Sequence, residues 1–176
     1  MTRWNEMPGQ TSNQQQGRNF EELVELSNQH YLKVGLAKIL KNEPTIGIVK
    51  NTFKDGKFQA YFKKKGKLDY SGCVADGRAI AFECKSTTRE KFYLSVMQEH
   101  QVEKIRSGME VGEVTFVLIE FVKYEEYYIC TAKMLLEKYD KTPSGSIKRE
   151  NLVRVENQGG RLDYMPVLWE IVRDGL

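Results

Sequence analysis

The sequence is poor in the side chains that build disulfide frameworks and structural metal clusters. It has three cysteines, no C-x-x-C pair, and two histidines, His30 and His100. An odd number of cysteines in apolar, strand-like surroundings is typical of reduced thiols in the cytosol. The composition therefore argues against a zinc cluster and a His-rich metal site, and it favours a cytoplasmic protein.

Long hydrophobic runs are also missing. No apolar stretch reaches the roughly 18 residues that a membrane-spanning helix needs, and the first ten residues contain no apolar core of the kind found in signal peptides. We therefore expect neither a membrane span nor a secretory signal. With 176 residues, 40% hydrophobic and 29% charged, the chain has the size and composition of one globular domain.

Positive charge is concentrated in one segment, although the net charge is only +3. Residues 50–67 contain seven lysines and one acid, so the segment carries +6 and the rest of the chain −3. A basic segment on a mildly acidic body is typical of a protein that binds a polyanion such as DNA. The alternative is a lysine-rich edge that keeps an exposed strand soluble.

The hydrophobic pattern predicts an α/β protein with a mixed central sheet flanked by helices. Residues 1–18 are polar and are predicted to be a flexible arm, and residues 19–176 are predicted to be a single domain. Helices are predicted over 19–34, 92–107, 132–139 and 162–172, with Asn19 as an N-cap and with Gly35 and Gly108 at helix ends. Strands are predicted over 36–40, 47–53, 57–65, 114–122, 127–131 and 152–155, with a loop over 141–151.

The stretch over 66–86, GKLDYSGCVADGRAIAFECKS, predicts a β-hairpin with its turn at Asp76-Gly77. Alternation places Glu83 and Lys85 on one face, roughly 6.6 Å apart along the strand, and the first strand carries Asp69. Two carboxylates and a lysine in this pattern match a metal-dependent phosphodiesterase, in which a hard divalent cation activates water. The lysine would orient that water or help to deprotonate it. The alternative is a salt bridge on a solvated face.

Two further groups of polar residues are candidates for a functional role. Gln101 lies on the core-facing stripe of a predicted helix, where it either supports the site or is a buried amide satisfied elsewhere. Lysines of the predicted basic hairpin are interleaved with aromatic residues, which suits contacts to DNA phosphates and bases, unless the lysines only face water. These lysines are Lys57, Lys63, Lys64, Lys65 and Lys67.

Together, these pieces resemble the RecU family of Holliday junction resolvases, which has a restriction-endonuclease-like nuclease fold. The resemblance runs from about residue 17 to residue 139. The matching pieces, in chain order, are Gly17 with Phe20-Glu21, Pro44-Thr45, Ala60-Tyr61-Phe62, Asp69-Tyr70-x-Gly72, Gly77-Arg78-x-Ile80-x-Phe82-Glu83-x-Lys85-Ser86-Thr87, His100-Gln101, Phe116-x-Leu118-Ile119-x-Phe121 and Tyr127-Tyr128-Ile129. The order and spacing of so many pieces are more specific than the acidic residues and lysine alone.

The resemblance implies an endonuclease that uses Mg²⁺ or Mn²⁺ and cuts four-way DNA junctions as a homodimer. It implies that Asp69 and Glu83 bind the metal, with the backbone carbonyl of Cys84 as a possible third ligand. It further implies that Lys85 is the catalytic lysine and that Glu21 is an additional acid near the metal.

The resemblance also implies that the segment over about 54–67 forms a protruding basic β-hairpin stalk, which enters the open centre of the junction. Gly66-Lys67 stand where the family often has a Ser-Thr pair, so the resemblance does not define how this stalk would contact the junction. This difference motivates one alternative function, a restriction- or repair-type endonuclease of the same fold. The lysine segment alone motivates another, a DNA-binding module that does not cut.

Overall fold

The computed structural model of the protein describes residues 12–43, 46–49, 52–57, 59–62 and 66–173. The helices are α1 (Ser12–Lys33), α2 (Glu99–Glu110), α3 (Ala132–Lys141) and α4 (Tyr164–Arg173). The strands are β1 (Ala37–Lys41), β2 (Ile46–Ile48), β3 (Ala60–Phe62), β4 (Tyr70–Val74), β5 (Ala79–Thr87), β6 (Lys91–Tyr93), β7 (Val114–Phe121), β8 (Glu126–Thr131), β9 (Ser146–Lys148) and β10 (Val153–Val155).

Six strands form a mixed sheet in the order β1-β4-β5-β7-β8-β10. Only β5 and β7 are parallel, and α2 lies in the connection between them, as a parallel crossover requires. Residues of α1 and α4 pack on one face of the sheet, and residues of α2 and α3 pack on the other. The predicted α/β class, with a mixed central sheet flanked by helices, is confirmed.

The centre of the sheet agrees with the hydrophobic pattern. β7 lies between β5 and β8 and is buried along nearly its whole length, which explains its continuous apolar sequence. In β5, Phe82 belongs to the core under α1 and α4, whereas Ala81 belongs to the core under α2 and α3. Glu83 therefore lies on the α2 side of the sheet, because strand side chains alternate.

A column of aromatic rings fixes the register of the strands that carry the site. Phe82 stacks between Tyr70 and Phe116, with ring centroids 5.0 Å and 4.7 Å apart, and Tyr164 of α4 meets Phe82 edge-on. A one-residue slip of any of these strands would turn its ring to the opposite face. The column thus holds β4, β5 and β7 in one alignment.

The hairpin turn is confirmed, whereas the first helix begins earlier than predicted. Gly77 has φ +88° at the predicted turn, and β4 pairs antiparallel with β5. α1 already includes Ser12, so residues 12–18 of the predicted flexible arm are helical and Asn19 is not an N-cap. Glutamine favours helix, which is consistent with the N-terminal extension. Residues 1–11 lie outside the described part of the chain.

The prediction of a helix over 92–107 is wrong in its first half. Phe92 lies in β6, which pairs with β9 inside the segment predicted to be a loop. The helix begins only after Gln98, which forms a capping box with Gln101. Gly108 does not end the helix; a Cβ there would lie 2.7 Å from Thr115 Cγ2, so glycine permits close packing against β7.

The first strand and the basic segment agree with the prediction only in part. β1, predicted over 36–40 from its apolar residues, is an edge strand in which buried and exposed residues alternate. β2 and β3 pair as a separate two-stranded ribbon, whose chain turns back through Asp55-Gly56, both with positive φ. Among the described helices, none combines the length and the apolar character that a bilayer crossing requires.

Candidate active site

The pairing of β4 with β5 brings Asp69 and Glu83 together. The register pairs Tyr70 with Phe82, so Asp69 stands at the next position, beside Glu83. The backbone N–H of Asp69 donates to Glu83 Oε2 at 3.2 Å. In return, Asp69 Oδ2 accepts a hydrogen bond from the backbone N–H of Cys84 at 2.8 Å. The two carboxylates are therefore held close together by the pairing of neighbouring strands. The sequence predicted a hairpin that could bring them together but left the register open.

Two further side chains converge on the other oxygen of Glu83. Lys85 Nζ donates to Glu83 Oε1 at 2.7 Å, and Gln101 Nε2 of α2 donates to the same oxygen. Gln101 Oε1 in turn accepts from the N–H of Gln98, so the amide is oriented by the start of its own helix. Gln101 is thus both a satisfied buried amide and a neighbour of the site.

Burial governs the electrostatics of this cluster. Glu83 is only 2% exposed, and desolvation raises its pKa to about 7; the nearby Asp69 charge adds to this effect and Lys85 opposes it. Desolvation also raises the pKa of Asp69, against the hydrogen bond from Cys84 and the charge of Lys85. Two carboxylates held this close while partly out of water favour protonation unless a cation neutralises them.

Glu21 approaches the site from α1. Its charge contributes to the raised pKa of Asp69, which places it in the electrostatic neighbourhood of the pair. Lys41, in the last position of β1, bridges Glu21 at 2.9 Å and Glu25 at 3.3 Å. Glu21 and Glu25 are one helical turn apart, so both reach the same ammonium group. Glu21 lies in the middle of α1, away from the helix N-terminus, so the helix dipole does not account for an acid at this position.

The predicted DNA-binding lysines are only partly within the described chain. Lys57 is exposed and forms an isolated bridge with Lys54 at the end of the ribbon. Lys67 is exposed and lies two residues before Asp69. Residues 63–65 lie outside the described residues. The protruding basic stalk therefore stays a prediction, and so does the binding of DNA by its lysines.

Comparison with known proteins decides the family. The family model described as RecU, Recombination protein U, matches residues 15–168. The chain belongs to the RecU family. It is 35% identical to the Holliday junction resolvase RecU of Pediococcus pentosaceus, over 84% of this chain and 76% of the relative. It is 33% identical to the protein of the same name from Ligilactobacillus salivarius, over 84% and 71%. The predicted family resemblance is confirmed.

A remote similarity to a solved structure accompanies this RecU match. The structure is that of Hjc, a Holliday junction resolvase from Archaeoglobus fulgidus, with a TM-score of 0.44 and 11% sequence identity. The alignment covers 72% of this chain and 88% of that one.

The donor atoms of this RecU-family site suit a hard divalent cation. Within the described residues, no group of three or more His, Cys, Asp or Glu side chains is gathered as a ligand set. The carboxylates that do lie together are those of Asp69 and Glu83, and backbone oxygen and water could supply the other ligands. That is the ligand set that Mg²⁺ accepts, because it keeps several waters and needs only one or two carboxylates.

Sequence reasoning missed the polar residues at the end of β1. Lys41 was not predicted to bridge the two glutamates of α1, and Asn42 was not predicted to contact the segment that carries Asp69. A polar pair between an apolar strand and Pro44 was the available signal. Its partners are far away in the sequence, so no local pattern could have identified them.

Proposed function

We propose that this RecU-family protein is a metal-dependent endonuclease that resolves four-way DNA junctions by paired, symmetric nicks. The observation that carries the proposal is the convergence of Asp69, Glu83 and Lys85 in one partly buried cluster. The relatives named as Holliday junction resolvases support the choice of substrate.

Asp69 and Glu83 are proposed to hold Mg²⁺ or Mn²⁺, with the Cys84 backbone carbonyl as a third ligand. When bound, the metal would neutralise charge on the scissile phosphate and lower the pKa of a bound water. The raised pKa values of both carboxylates support this role, because a cation removes the penalty that burial imposes on their ionised forms. Glu21 is proposed to add negative charge at the edge of the same site.

Lys85 is proposed to be the catalytic lysine. Its side chain is 20% exposed, so the ammonium group lies at the boundary between the buried carboxylate and solvent. From there it can orient the attacking water and offset charge on the phosphate oxygens. Gln101 restrains Glu83 from the helix side, so the carboxylate keeps its direction while Lys85 acts on the substrate.

We also propose that the protein acts as a homodimer. Two nicks related by a two-fold axis require two sites related in the same way, which an isologous dimer supplies. Exposed hydrophobic side chains on α1 and β1 support an interface, among them Leu32 and Leu40, which line one groove of about 270 Å³. Light scattering should give twice the chain mass, and Leu32→Glu with Leu40→Glu should shift it toward the monomer. Val96→Glu, at another exposed hydrophobic position, is the matched control.

The lysines of the basic segment are proposed to contact DNA phosphates. About six such contacts would make log K fall with log salt with a slope of roughly −5. Replacing Lys63, Lys64 and Lys65 by glutamine should flatten that slope by about 2.7. Replacing Lys148, which pairs with Glu150 in another part of the chain, should leave it unchanged.

Cleavage of a labelled four-way junction in Mg²⁺ tests the enzyme assignment. We expect paired nicks from the natural protein and a rate at least about 100-fold lower from Asp69→Asn. Asp140→Asn, which alters an exposed carboxylate paired with Arg106, should cut normally. Unchanged nicking by Asp69→Asn would contradict the assignment of this residue.

The choice of DNA substrate separates the alternatives. Gly66-Lys67 in place of the usual Ser-Thr pair motivates a restriction- or repair-type endonuclease, and the lysine-rich segment motivates a DNA-binding module. Faster cutting of linear duplex than of the junction at equal concentration would favour a restriction- or repair-type endonuclease. Metal-independent junction binding without any nicking would favour a DNA-binding module that does not cut.

A further inference from the structure

Asn42 ties together the chain on both sides of Asp69. Its backbone N–H donates to the carbonyl of Asp69 at 2.8 Å, and its side-chain Nδ2 donates to the carbonyl of Leu68, also at 2.8 Å. Its Oδ1 accepts from Ser71 Oγ at 3.0 Å. One residue directly after β1 therefore contacts three of the four residues from 68 to 71.

These contacts matter because Asp69 lies just outside the regular sheet. β4 begins at Tyr70, and the register between β4 and β5 covers Tyr70 but not Asp69. The N–H of Asp69 points to the Glu83 carboxylate instead of a backbone carbonyl of β5. The Glu83 carboxylate holds only the N–H side of Asp69, so the carbonyl side depends on a separate contact. The carbonyl side of Asp69 is held by Asn42.

The immediate surroundings of Asn42 support a role in positioning. Leu68 is 3% exposed, so its carbonyl sits on a buried residue of the α2-side core, and the amide of Asn42 satisfies that carbonyl. Lys41, the residue before Asn42, bridges Glu21 of α1. The end of β1 therefore contacts the segments of two of the acids assigned to the site.

We propose that Asn42 is a positioning residue that holds the Asp69 carboxylate in the orientation required for metal binding. The proposal rests on the proposed function only in assigning a divalent cation to Asp69. Without the side chain of Asn42, the Leu68 carbonyl and the Ser71 hydroxyl lose their partner, and only the backbone N–H of residue 42 still holds the Asp69 carbonyl. The segment over 66–69 would then sample orientations in which Asp69 turns away from Glu83. Residues that orient a ligand typically change metal affinity by 10- to 100-fold when they are removed.

Binding of Mn²⁺ by the full-length protein, measured by calorimetry without DNA, tests this role. We expect Asn42→Ala to weaken Mn²⁺ binding by about tenfold. Ser71→Ala is the matched control, since it removes one hydrogen bond to Asn42 but leaves the bond to Leu68 intact, and we expect a change below about twofold. Asn42→Leu keeps the branching and the number of side-chain heavy atoms but has no side-chain hydrogen-bonding group. It should weaken Mn²⁺ binding as much as Asn42→Ala does, and it replaces the alanine variant should that variant fold poorly.

The dependence of nicking on Mn²⁺ gives a second readout. For Asn42→Ala, the Mn²⁺ concentration at half-maximal rate should rise about tenfold, and saturating Mn²⁺ should restore the maximal rate. A lower thermal midpoint with unchanged Mn²⁺ affinity in both Asn42 variants would overturn the proposal and leave only a structural role. If the natural protein binds Mn²⁺ but does not nick junctions, the proposed function fails, while the comparison of affinities still decides the role of Asn42.

Discussion

Asp69 and Glu83 are joined by reciprocal contacts: the N–H of Asp69 donates to the Glu83 carboxylate, and the Asp69 carboxylate accepts from the N–H that follows Glu83. Each acid is thus oriented by the backbone that carries the other. Strand pairing brings two negative charges together before any cation is bound. Burial raises the pKa values of both carboxyl groups, and the charge of Asp69 adds to the effect on Glu83, so metal binding and stability should both depend on pH.

Metal binding should strengthen with pH. Because the pKa of Glu83 is raised to about 7, the carboxylate must lose a proton before it can serve as a ligand at lower pH. The apparent Mn²⁺ affinity should rise about fivefold between pH 6 and pH 7, and about tenfold between pH 6 and pH 8, where it levels off. Calorimetry at three pH values checks this. The same profile for Glu83→Gln as for the natural protein would show that another group controls binding.

The stability of the metal-free protein should depend on Glu83 in the opposite direction. A carboxyl group whose pKa is higher in the folded state stabilises the fold below its unfolded pKa of 4.5, and this contribution disappears as the pH rises through about 7. From pH 4 to pH 8 the natural protein should lose up to about 3 kcal/mol from this source, at 1.36 kcal/mol for each pKa unit.

Urea unfolding in EDTA measures that loss. Glu83→Gln carries no titrating group at this position, so its free energy of unfolding should fall less between the two pH values. Glu150→Gln alters an exposed glutamate and should follow the natural protein. A larger fall for Glu83→Gln would contradict the raised pKa.

Lys85 should affect cleavage far more than metal binding. Replacing it with methionine removes the ammonium group while keeping most of the side-chain volume. We expect nicking at saturating Mg²⁺ to fall about 100-fold or more. Mn²⁺ affinity should stay the same or improve, because a cation beside Glu83 is lost. Lys148→Met is the control, and weaker Mn²⁺ binding by Lys85→Met would argue against the proposed separation of roles.

The close approach of β1 to β4 should make Gly72 intolerant of substitution. A Cβ at Gly72 would lie 1.9 Å from the carbonyl oxygen of Lys38 and 2.8 Å from Ile39 Cα, both backbone atoms that cannot rotate away. Gly72→Ala should lower the free energy of unfolding by roughly 1–3 kcal/mol or more. Gly66→Ala meets no atom within 4 Å and should change stability little. Similar effects of the two substitutions on urea unfolding would contradict this account.

The centre of the sheet could be predicted because its residues carry a periodic signal. Alternation in β5 separates Phe82 from Glu83, and the apolar run of β7 reports burial on both faces. Both signals come from residues that are close together in the sequence. The fold agrees with them because the two cores lie on opposite sides of one sheet. The same alternation put Glu83 and Lys85 together, and the hairpin turn brought Asp69 to them.

Other parts depended on contacts that no local pattern reveals. The pattern around Phe92 suits a helix, yet its pairing with the strand at Ile147, more than fifty residues later, makes it a strand. Gly108 looks like a helix end, but its role is to let α2 approach β7. The role of Asn42 is likewise defined only by the distant segment that it contacts.

The cation–π contact between Arg78 and Trp169 provides an optical reporter on the segment that carries the site. The guanidinium lies 4.9 Å from the indole ring, so the last helix rests on the turn that joins β4 to β5. The sequence contains two tryptophans, Trp4 and Trp169. In a Trp4→Phe protein, Trp169 is the single indole, and its fluorescence would report whether α4 is docked on that turn. A change in this fluorescence would reveal that α4 has separated from the turn even when the rest of the protein stays folded.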